Sequence, residues 1–375
     1  MSRKLNPPTS GTHFLIWVKA GACFCLIFAE NYDKTRLSLR FYMNKNRLST
    51  FAAVAASLLS LSACNRAGAP AHTDTDREGT EIFFADPTVF VDNGKYYLSG
   101  TRNQEPLGFA LLESDNLRDW HYARPDSMIL RKGEGVFGDK GFWAPQFYKL
   151  GDKYLYLYTA NEQVTMAQAD SISGLFTQQN IEPTDASEKN IDPFLFRDDD
   201  GKFYLYHVRF NHGNFLWVAE FNPETGHIAE GTLRPVFKNT QPWEHTGAYP
   251  SDPIMEGPTL IKLDGTYYLF YSANHFMSPD YAVGYATAPT PLGPWTKNEA
   301  NPVISRKIVG EKGSGHGDVF TDRDGTLRYV YHVHNSDSVV SPRRTRIVSL
   351  RVDKSKGQPY SITADPESVI VPVRK

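Results

Sequence analysis

Cysteine is almost absent from this 375-residue sequence. The three cysteines, Cys23, Cys25 and Cys64, all lie within the first 64 residues. The rest of the chain therefore has no thiol for a disulfide or for a thiolate metal site. A folded domain in that part of the chain must be stabilised by packing alone.

An excess of either charge sign is also lacking. The 40 Lys and Arg residues are balanced by 42 Asp and Glu residues, which gives a net charge of −2 at pH 7. This balance excludes the basic surface that is typical of proteins binding nucleic acid or anionic membranes. A neutral ligand fits the composition better.

The clearest apolar run near the N-terminus, Leu48–Leu61, is too short for a permanent membrane helix. A short basic stretch that begins at Met43 precedes this run, and the run ends in Leu61-Ser62-Ala63-Cys64. Residues 43–63 therefore have the organisation of a signal peptide. The ending is similar to the lipobox of bacterial lipoproteins, and we expect Cys64 to carry a lipid anchor. The alternative is a plain secretory signal with an incidental cysteine.

The segments on either side of this signal set the domain organisation. We interpret residues 1–42 as a non-native upstream extension, with translation starting at Met43; a tandem signal is the alternative. Residues 64–80 are rich in Ala, Gly, Thr and Asp, which predicts a flexible tether. We expect a monomeric exported protein, attached to the outer membrane only through its lipid and facing the periplasm, with a folded domain at 81–375.

An internal repeat predicts the fold of that domain. Five segments each contain an apolar strand, a Gly-containing polar turn and a second strand rich in aromatic residues, with turns near residues 94, 152, 200, 265 and 325. Asn-Gly and Asp-Gly between apolar runs are strong hairpin signals. Each hairpin is followed by a further strand pair. The sequence therefore predicts an all-β, five-bladed β-propeller with four-stranded antiparallel blades around a central channel.

Polar or aromatic side chains precede the first strand of every repeat. About eight positions ahead of the turns stand Asp86, Trp143, Asp192, Glu256 and His316. The first strands of all blades converge on the propeller axis, so these five positions should form a ring at one end of the channel. Proline follows in four of the five motifs, as expected where no ladder hydrogen bond is needed.

This set of side chains suits the hydrolysis of a glycosidic bond. That reaction needs one carboxylic acid to protonate the leaving oxygen and one carboxylate to activate water or attack carbon. Asp86 and Glu256 belong to the first and fourth repeats and should lie across the ring. Asp192 would keep a neighbouring acid protonated near neutral pH. Trp143 offers a wall for a sugar face, and His316 would line the axis or hold a cation through waters.

The motifs are similar to those of glycoside hydrolase family 43. They are Ala85-Asp86-Pro87, Trp143-Ala144-Pro145, Ile191-Asp192-Pro193-Phe194, Glu256-Gly257-Pro258 and Gly315-His316-Gly317, followed by Tyr331-His332. The resemblance implies an inverting mechanism with Asp86 as general base, Glu256 as general acid and Asp192 orienting the acid. Inversion implies carboxyl groups about 6.5–9.5 Å apart. The family needs no cofactor for its chemistry but allows a structural calcium ion near His316, although no contiguous calcium loop is present.

The resemblance implies substrates among arabinofuranosides, xylosides, arabinan and galactans. The extra β-sandwich of many family β-xylosidases does not follow the fifth repeat, which favours an exo-acting α-L-arabinofuranosidase over a β-xylosidase or an exo-β-galactanase. We predict further substrate contacts from Trp243, Phe84 and Arg344. Trp243 lies in an insertion, 241–253, and would either close the pocket over a terminal sugar or fill a gap between blades.

Two other interpretations remain open. The related β-fructosidases begin with Asn-Asp-Pro and carry a Glu-Cys acid, whereas this chain has Ala85-Asp86-Pro87 and Glu256-Gly257. A non-catalytic glycan-binding lipoprotein is the alternative from a different class. It would be expected to lack at least one of the three carboxylates, and all three are present.

Overall fold

The computed structural model describes residues 79–375 with side chains, apart from 211, 246 and 248–252, and three backbone strands nearer the N-terminus. Contacts divide the chain into residues 1–73 and residues 74–375. In the first unit, β1 (Phe14–Ala20), β2 (Cys23–Asn31) and β3 (Leu37–Arg40) form an antiparallel sheet in that order. The predicted signal peptide, the anchor Cys64 and the tether up to residue 78 lie outside the described residues and stay predictions.

Five main sheets and a separate two-stranded sheet make up the described part of the second unit. The first blade region contains β4 (Ala85–Asp92), β5 (Lys95–Thr101), β6 (Gly108–Ala110), β7 (Leu112–Ser114), β8 (Asp119–Tyr122) and β9 (Met128–Arg131). The second contains β10 (Trp143–Leu150), β11 (Lys153–Ala160) and β12 (Gln163–Ala169). The third contains β13 (Asn190–Arg197), β14 (Phe203–Phe210), β15 (Asn214–Asn222), β16 (His227–Ile228) and β17 (Arg234–Pro235).

The fourth and fifth blades complete the ring. The fourth contains β18 (Met255–Leu263), β19 (Thr266–Ala273), β20 (Ala282–Ala288) and β21 (Thr296–Lys297), and a short 3₁₀ helix, Pro242–Glu244, precedes it. The fifth follows a one-turn helix, α1 (Arg306–Val309), and contains β22 (Gly315–Thr321), β23 (Leu327–Val333), β24 (Arg344–Asp353) and β25 (Ser361–Ile370). In the described part of the chain, no helix is long and apolar enough to span a membrane.

The predicted five-bladed propeller is confirmed. All five predicted hairpins are present as antiparallel pairs: β4 with β5, β10 with β11, β13 with β14, β18 with β19, and β22 with β23. The first strands of neighbouring blades contact one another around the whole ring, including β22 with β4. Strand β26 (Val373–Arg374) pairs in parallel with β8 of the first blade, so the last residues close the ring.

The blades are less uniform than the predicted four strands. The fourth and fifth sheets have four strands each, but the second has three. Its fourth strand is reduced to a single bridge between Gln168 and Thr177. The intervening segment Asp170–Gly174 forms a bend and a turn instead of continuing the ladder. In the first blade region, β6 and β9 pair apart from the main sheet.

Packing between blades replaces the missing disulfides. Five apolar clusters are buried, and each joins two neighbouring blades. The cluster between the first and second blades is mainly aromatic, with Phe109 packed edge-on against Tyr156 and Tyr158. These faces hold the five inner strands around one axis, where the predicted ring of functional residues begins.

Candidate active site

Each inner strand breaks its ladder at the same place. The register shifts between Ala85 and Thr88, Trp143 and Gln146, Ile191 and Phe194, Glu256 and Thr259, and Gly315 and Gly317. One residue of every break has a left-handed backbone, with φ values of 48° at Asp86, 43° at Ala144, 58° at Asp192, 58° at Gly257 and 42° at His316. Such bulges re-aim side chains and are strained for residues other than glycine.

The breaks correct one detail of the predicted ring. Asp86, Asp192 and His316 occupy the left-handed positions, but Trp143 and Glu256 stand one residue earlier. The five predicted residues are therefore not strictly equivalent. The left-handed position of the fourth blade is Gly257, where a Cβ would lie 2.7 Å from the His316 ring. Glycine is required there because the His316 ring occupies the space of a side chain, whereas the other four blades carry side chains at a similar backbone angle.

Asp86 is buried in a set of positive and neutral donors. Its Oδ1 lies 2.9 Å from Nη1 of Arg343 and 3.4 Å from Nδ1 of His316, and its Oδ2 accepts a 2.7 Å hydrogen bond from the Thr101 hydroxyl. Burial by itself would raise the pKa of Asp86, but Arg343, His316 and His332 outweigh burial and hold this pKa well below its usual range. The side chain is a carboxylate at neutral pH.

Asp192 has the opposite electrostatic character. Its Oδ2 accepts a 3.2 Å hydrogen bond from the Gly257 backbone N–H. Burial, together with the nearby Glu256 and Asp86 carboxylates, raises its pKa to about 7, although His316 opposes the rise. Two acidic residues of the same ring therefore differ in protonation near neutral pH, as an acid–base site requires.

Glu256 is 8% exposed and accepts a 2.7 Å hydrogen bond at Oε1 from the hydroxyl of Tyr281. The Tyr281 ring is fully buried and stacks on His332 at 5.7 Å. The imidazole of His316 interacts electrostatically with Asp192, Asp86 and Glu256. The structure thus brings all three predicted carboxylates around one imidazole.

The pKa values of His316 and His332 are shifted in opposite directions. Burial disfavours the charged form of both rings, but the three carboxylates outweigh burial at His316 and raise its pKa. At His332, burial and the neighbouring Arg343 lower the pKa to about 3, so this ring is neutral. The Nδ1 atom of His332 lies 3.1 Å from the backbone nitrogen of Asp86.

The predicted substrate contacts separate into residues near the ring and residues away from it. Trp143 is partly exposed, and its indole N–H donates to Asn103. Phe84 is buried and lines a cavity of about 310 Å³ together with Arg343. Phe84 precedes Asp86 by two residues and Trp143 directly precedes Ala144 of the ring, and their contact with a substrate stays a prediction.

Arg344 is placed differently from the prediction. Its guanidinium donates to the His334 carbonyl and forms ion pairs with Glu81 and Glu311. The neighbouring Arg343 is the arginine that contacts Asp86. Successive residues of an extended segment point to opposite sides, so only one of the pair can face the axis.

Trp243 packs against the fourth blade. Its ring centroid is 5.5 Å from that of Tyr271, its Nε1 donates to Gln241, and it fills the space over Gly284. Glu244 beside it is fully buried in an ion pair with Lys297. This position favours the gap-filling interpretation over contact with a terminal sugar.

The described residues do not form a direct site for the calcium ion that the sequence allowed. No group of three His, Cys, Asp or Glu side chains among them is placed to hold a metal. The carboxylate of Asp318, below His316 on the channel wall, accepts from the hydroxyls of Thr88 and Thr259. A cation held by His316 through waters stays a prediction, and we assign no catalytic step to a metal.

Sequence reasoning missed Tyr281, Thr101 and Arg343 as direct partners of the carboxylates. Thr101 and Tyr281 contact residues 15 and 25 positions away, and Arg343 contacts a residue 257 positions away. No local pattern marks such contacts. The strand pairing of Ala85 with Thr101 is the one signal that was available, because the predicted hairpin places those residues opposite each other.

Comparisons with known proteins found similar solved structures. A crystal structure described as an endo-1,4-β-xylanase of Bacteroides thetaiotaomicron is 37% identical and has a TM-score of 0.72; the match covers 79% of this chain and 98% of that one. A thermostable family-43 glycoside hydrolase is 31% identical, with a TM-score of 0.67, over 78% of this chain and 95% of that one.

A curated relative, xylosidase/arabinosidase 43B of Humicola insolens, is 24% identical over 270 residues, 67% of this chain. The matched region spans only 47% of the length of that relative. Residues 80–356 match the model of glycosyl hydrolases family 43. With the propeller and the three carboxylates in place, the chain belongs to that family and is a glycoside hydrolase.

Proposed function

We propose that this chain is an inverting exo-glycosidase that releases terminal α-L-arabinofuranosyl units from plant-type saccharides. The observation that carries the proposal is the pair of contrasting carboxyl groups around His316. Asp86 is held as a carboxylate by Arg343, and the pKa of Asp192 is raised to about 7. The ring thus contains Asp86, which can act as a base, and Asp192 beside Glu256, whose carboxyl group keeps its proton up to about neutral pH.

The proposed reaction is a single displacement. The Asp86 carboxylate removes a proton from a water molecule, and the water oxygen forms a bond to the anomeric carbon. The bond between that carbon and the glycosidic oxygen breaks, and Glu256 donates its proton to the leaving oxygen. The product has inverted anomeric configuration. Asp86 ends protonated and Glu256 ionised, so one proton returns through solvent before the next cycle.

The surrounding residues orient these groups. Thr101 and Arg343 bind different oxygens of Asp86, which fixes the plane of the carboxylate toward the attacking water. Tyr281 binds one oxygen of Glu256 and leaves the other for the proton that is transferred. Fixed geometry of this kind contributes to catalysis by reducing the reorganisation needed in the transition state.

A β-1,4-xyloside is the second candidate substrate. The 37% identical crystal structure is described as an endo-1,4-β-xylanase, and the Humicola insolens relative is named a xylosidase/arabinosidase. Both names concern pentose sugars, which supports the pentose class. Arabinofuranosides remain our first candidate, and the word arabinosidase in the name of the Humicola insolens relative supports that choice.

A panel of nitrophenyl glycosides tests both candidates. The purified protein is assayed with α-L-arabinofuranoside, β-D-xyloside and β-D-galactoside, beside linear arabinan and xylan. We expect the highest kcat/KM with the arabinofuranoside, and proton NMR of the first product should show inverted configuration. Preference for the xyloside would support the second candidate, and retained configuration would refute the single displacement.

Two variants separate an enzyme from a glycan-binding protein. We expect Asp86→Asn and Glu256→Gln each to lower kcat by at least about 100-fold on a natural oligosaccharide, because each removes a proton-transfer group. Asp199→Asn is the matched control, since its side chain is 87% exposed. Unchanged turnover in both site variants would contradict the assignment and favour glycan binding without catalysis.

We also propose export and lipid attachment at Cys64, on the periplasmic side of the outer membrane. The support is the segment order from Met43 to Cys64. Expression of the full chain in a Gram-negative host should place it in the detergent phase after Triton X-114 partition. Cys64→Ser should move it to the aqueous phase. An unchanged distribution would favour a plain secretory signal, and protease treatment of intact cells would distinguish the surface from the periplasm.

A further inference from the structure

A repeated position on the second strand of each blade faces the next blade. In each blade this residue pairs across the hairpin with the first-strand residue that directly precedes the left-handed residue. The pairs are Thr101 with Ala85, Thr159 with Trp143, Val208 with Ile191, Ser272 with Glu256 and His332 with Gly315. All five of these second-strand side chains are at most 2% exposed. They therefore form an inner shell around the functional ring.

Four of the five side chains accept the backbone N–H of the left-handed residue in the following blade. The bonds run from Ala144 to Thr101 at 2.9 Å, from Asp192 to Thr159 at 3.0 Å, from His316 to Ser272 at 2.8 Å and from Asp86 to Nδ1 of His332 at 3.1 Å. A buried N–H without an acceptor is costly, so each bond fixes one strained backbone residue.

The third blade is the exception. Val208 has no acceptor, so the N–H of Gly257 in the fourth blade must bind elsewhere. It donates to Oδ2 of Asp192, which belongs to the same blade as Val208. At this one interface a carboxylate of the active site takes the place of the structural acceptor. Gly257 directly follows Glu256, so the bond holds Asp192 against the strand that carries the predicted acid.

We propose that Val208 is a positioning residue, which by lacking an acceptor directs the Gly257 N–H to Asp192 and so fixes Asp192 beside the general acid Glu256. This inference rests on the proposed role of Glu256. The charged and titratable groups that face Asp192 are Asp86, Glu256, His316 and Tyr281. Its Oδ2 lies 3.9 Å from Nδ1 of His316, so a released carboxylate has an alternative partner nearby.

The substitution Val208→Thr tests the proposal with almost no change in volume. Threonine places a hydroxyl where Thr101 and Thr159 already accept the equivalent N–H groups. We expect the new hydroxyl to take the Gly257 N–H and to leave Asp192 without that donor. Val208→Ala is the matched control, because it disturbs the same buried site without adding an acceptor.

The readout is the dependence of kcat/KM on the leaving group. Each variant is assayed with a 2,4-dinitrophenyl glycoside, whose leaving group departs without a proton, and with a disaccharide of the same sugar, whose leaving group needs the acid. For Val208→Thr we expect about a tenfold loss on the disaccharide and less than about a twofold loss on the dinitrophenyl glycoside. For Val208→Ala we expect similar, small losses on both substrates.

The outcomes distinguish the inference from the proposed function. Glu256→Gln is measured on both substrates in parallel and should lose activity selectively on the disaccharide. If it does not, the assignment of the acid fails and the positioning proposal fails with it. If Glu256→Gln is selective but Val208→Thr behaves like Val208→Ala, only the positioning proposal is overturned. Val208→Ser supplies the same acceptor with less bulk and gives the same test if the threonine variant does not fold.

Discussion

Replacing Thr101 with valine removes one hydroxyl that stabilises two blades at once. The hydroxyl donates to Oδ2 of Asp86 at 2.7 Å and accepts the N–H of Ala144 at 2.9 Å. Thr101 is 2% exposed, so both bonds are buried. Valine has nearly the same shape and lacks the polar atom. The substitution therefore isolates the hydrogen bonds from packing.

The expected loss of unfolding free energy follows from the two bonds. Leaving the buried Ala144 N–H without an acceptor costs about 1–3 kcal/mol, and losing a hydrogen bond to the Asp86 carboxylate costs about 1.5–3 kcal/mol. The additional valine methyl recovers part of this, so we expect a net loss of about 3 kcal/mol for Thr101→Val. Thr101→Ser keeps the hydroxyl, removes one methyl and should cost about 1 kcal/mol.

Equilibrium unfolding in guanidinium chloride at pH 7, followed by tryptophan fluorescence, measures both variants. The pKa of Asp86 lies well below its usual range in the folded chain, despite burial, because of Arg343 and the two histidines. Its stabilisation is therefore present at neutral pH and is lost as the pH falls through the folded-state pKa. Equal losses in the valine and serine variants at pH 7 would refute the reasoning.

Three further predictions concern residues around this ring. Gly257→Ala should lower kcat/KM by at least about tenfold, because the new Cβ meets the His316 ring at 2.7 Å, whereas Gly265→Ala, with similar strain but open space, should leave kcat/KM within about twofold. The pKa of Asp318 is raised by burial to about 6, above the unfolded value near 3.9, so its contribution favours folding at low pH and weakens between about pH 4 and 6. The free energy of unfolding of Asp318→Asn, relative to that of the natural chain, should therefore be up to about 3 kcal/mol higher at pH 7 than at pH 4. The same difference between the two proteins at both pH values would contradict that burial effect. Glu244→Gln should cost about 3–5 kcal/mol in the same titrations at pH 7, because it removes the counter-ion of a buried lysine; a loss below about 1 kcal/mol would mean that the lysine reaches water.

The hairpins and their order around the axis could be predicted because the signal is local. An Asn-Gly or Asp-Gly turn between apolar runs determines a strand pair within about a dozen residues. Five such pairs, each followed by a further strand pair, leave few architectures other than a propeller. The number of outer strands was harder to predict, since β12 is followed by a turn-rich segment with little apolar alternation.

The positions within the ring were predicted with a one-residue error in two blades. The functional side chain does not stand at the same backbone position in every motif, whereas the proline of four motifs does. Pro87, Pro145, Pro193 and Pro258 each follow the left-handed residue directly. Alignment on proline would have paired Asp86 with Ala144 and Gly257, as the structure does. The acid still reaches the ring because its side chain is one methylene longer than that of aspartate.

Residue pairs that are distant in sequence could not be predicted. Nothing in the sequence indicates that Arg343 and not Arg344 faces Asp86. Arg343 lies just before β24, which begins at residue 344, so the in-and-out alternation of side chains along the strand does not predict which way Arg343 points. The same limit applies to Tyr281, whose hydroxyl meets Glu256 only after β18 and β20 have paired with the two sides of β19.

The five left-handed positions also bear on how such a site can change. Their backbones have nearly the same angle, and they carry aspartate, alanine, aspartate, glycine and histidine in turn. The backbone shape of these positions therefore does not depend on the residue type, and a single substitution changes the functional group that a blade presents to the ring. Ala144 is the position of this set in the second blade, and it has no polar side chain. The second blade therefore presents only a methyl group at the position where the first and third blades present carboxyl groups.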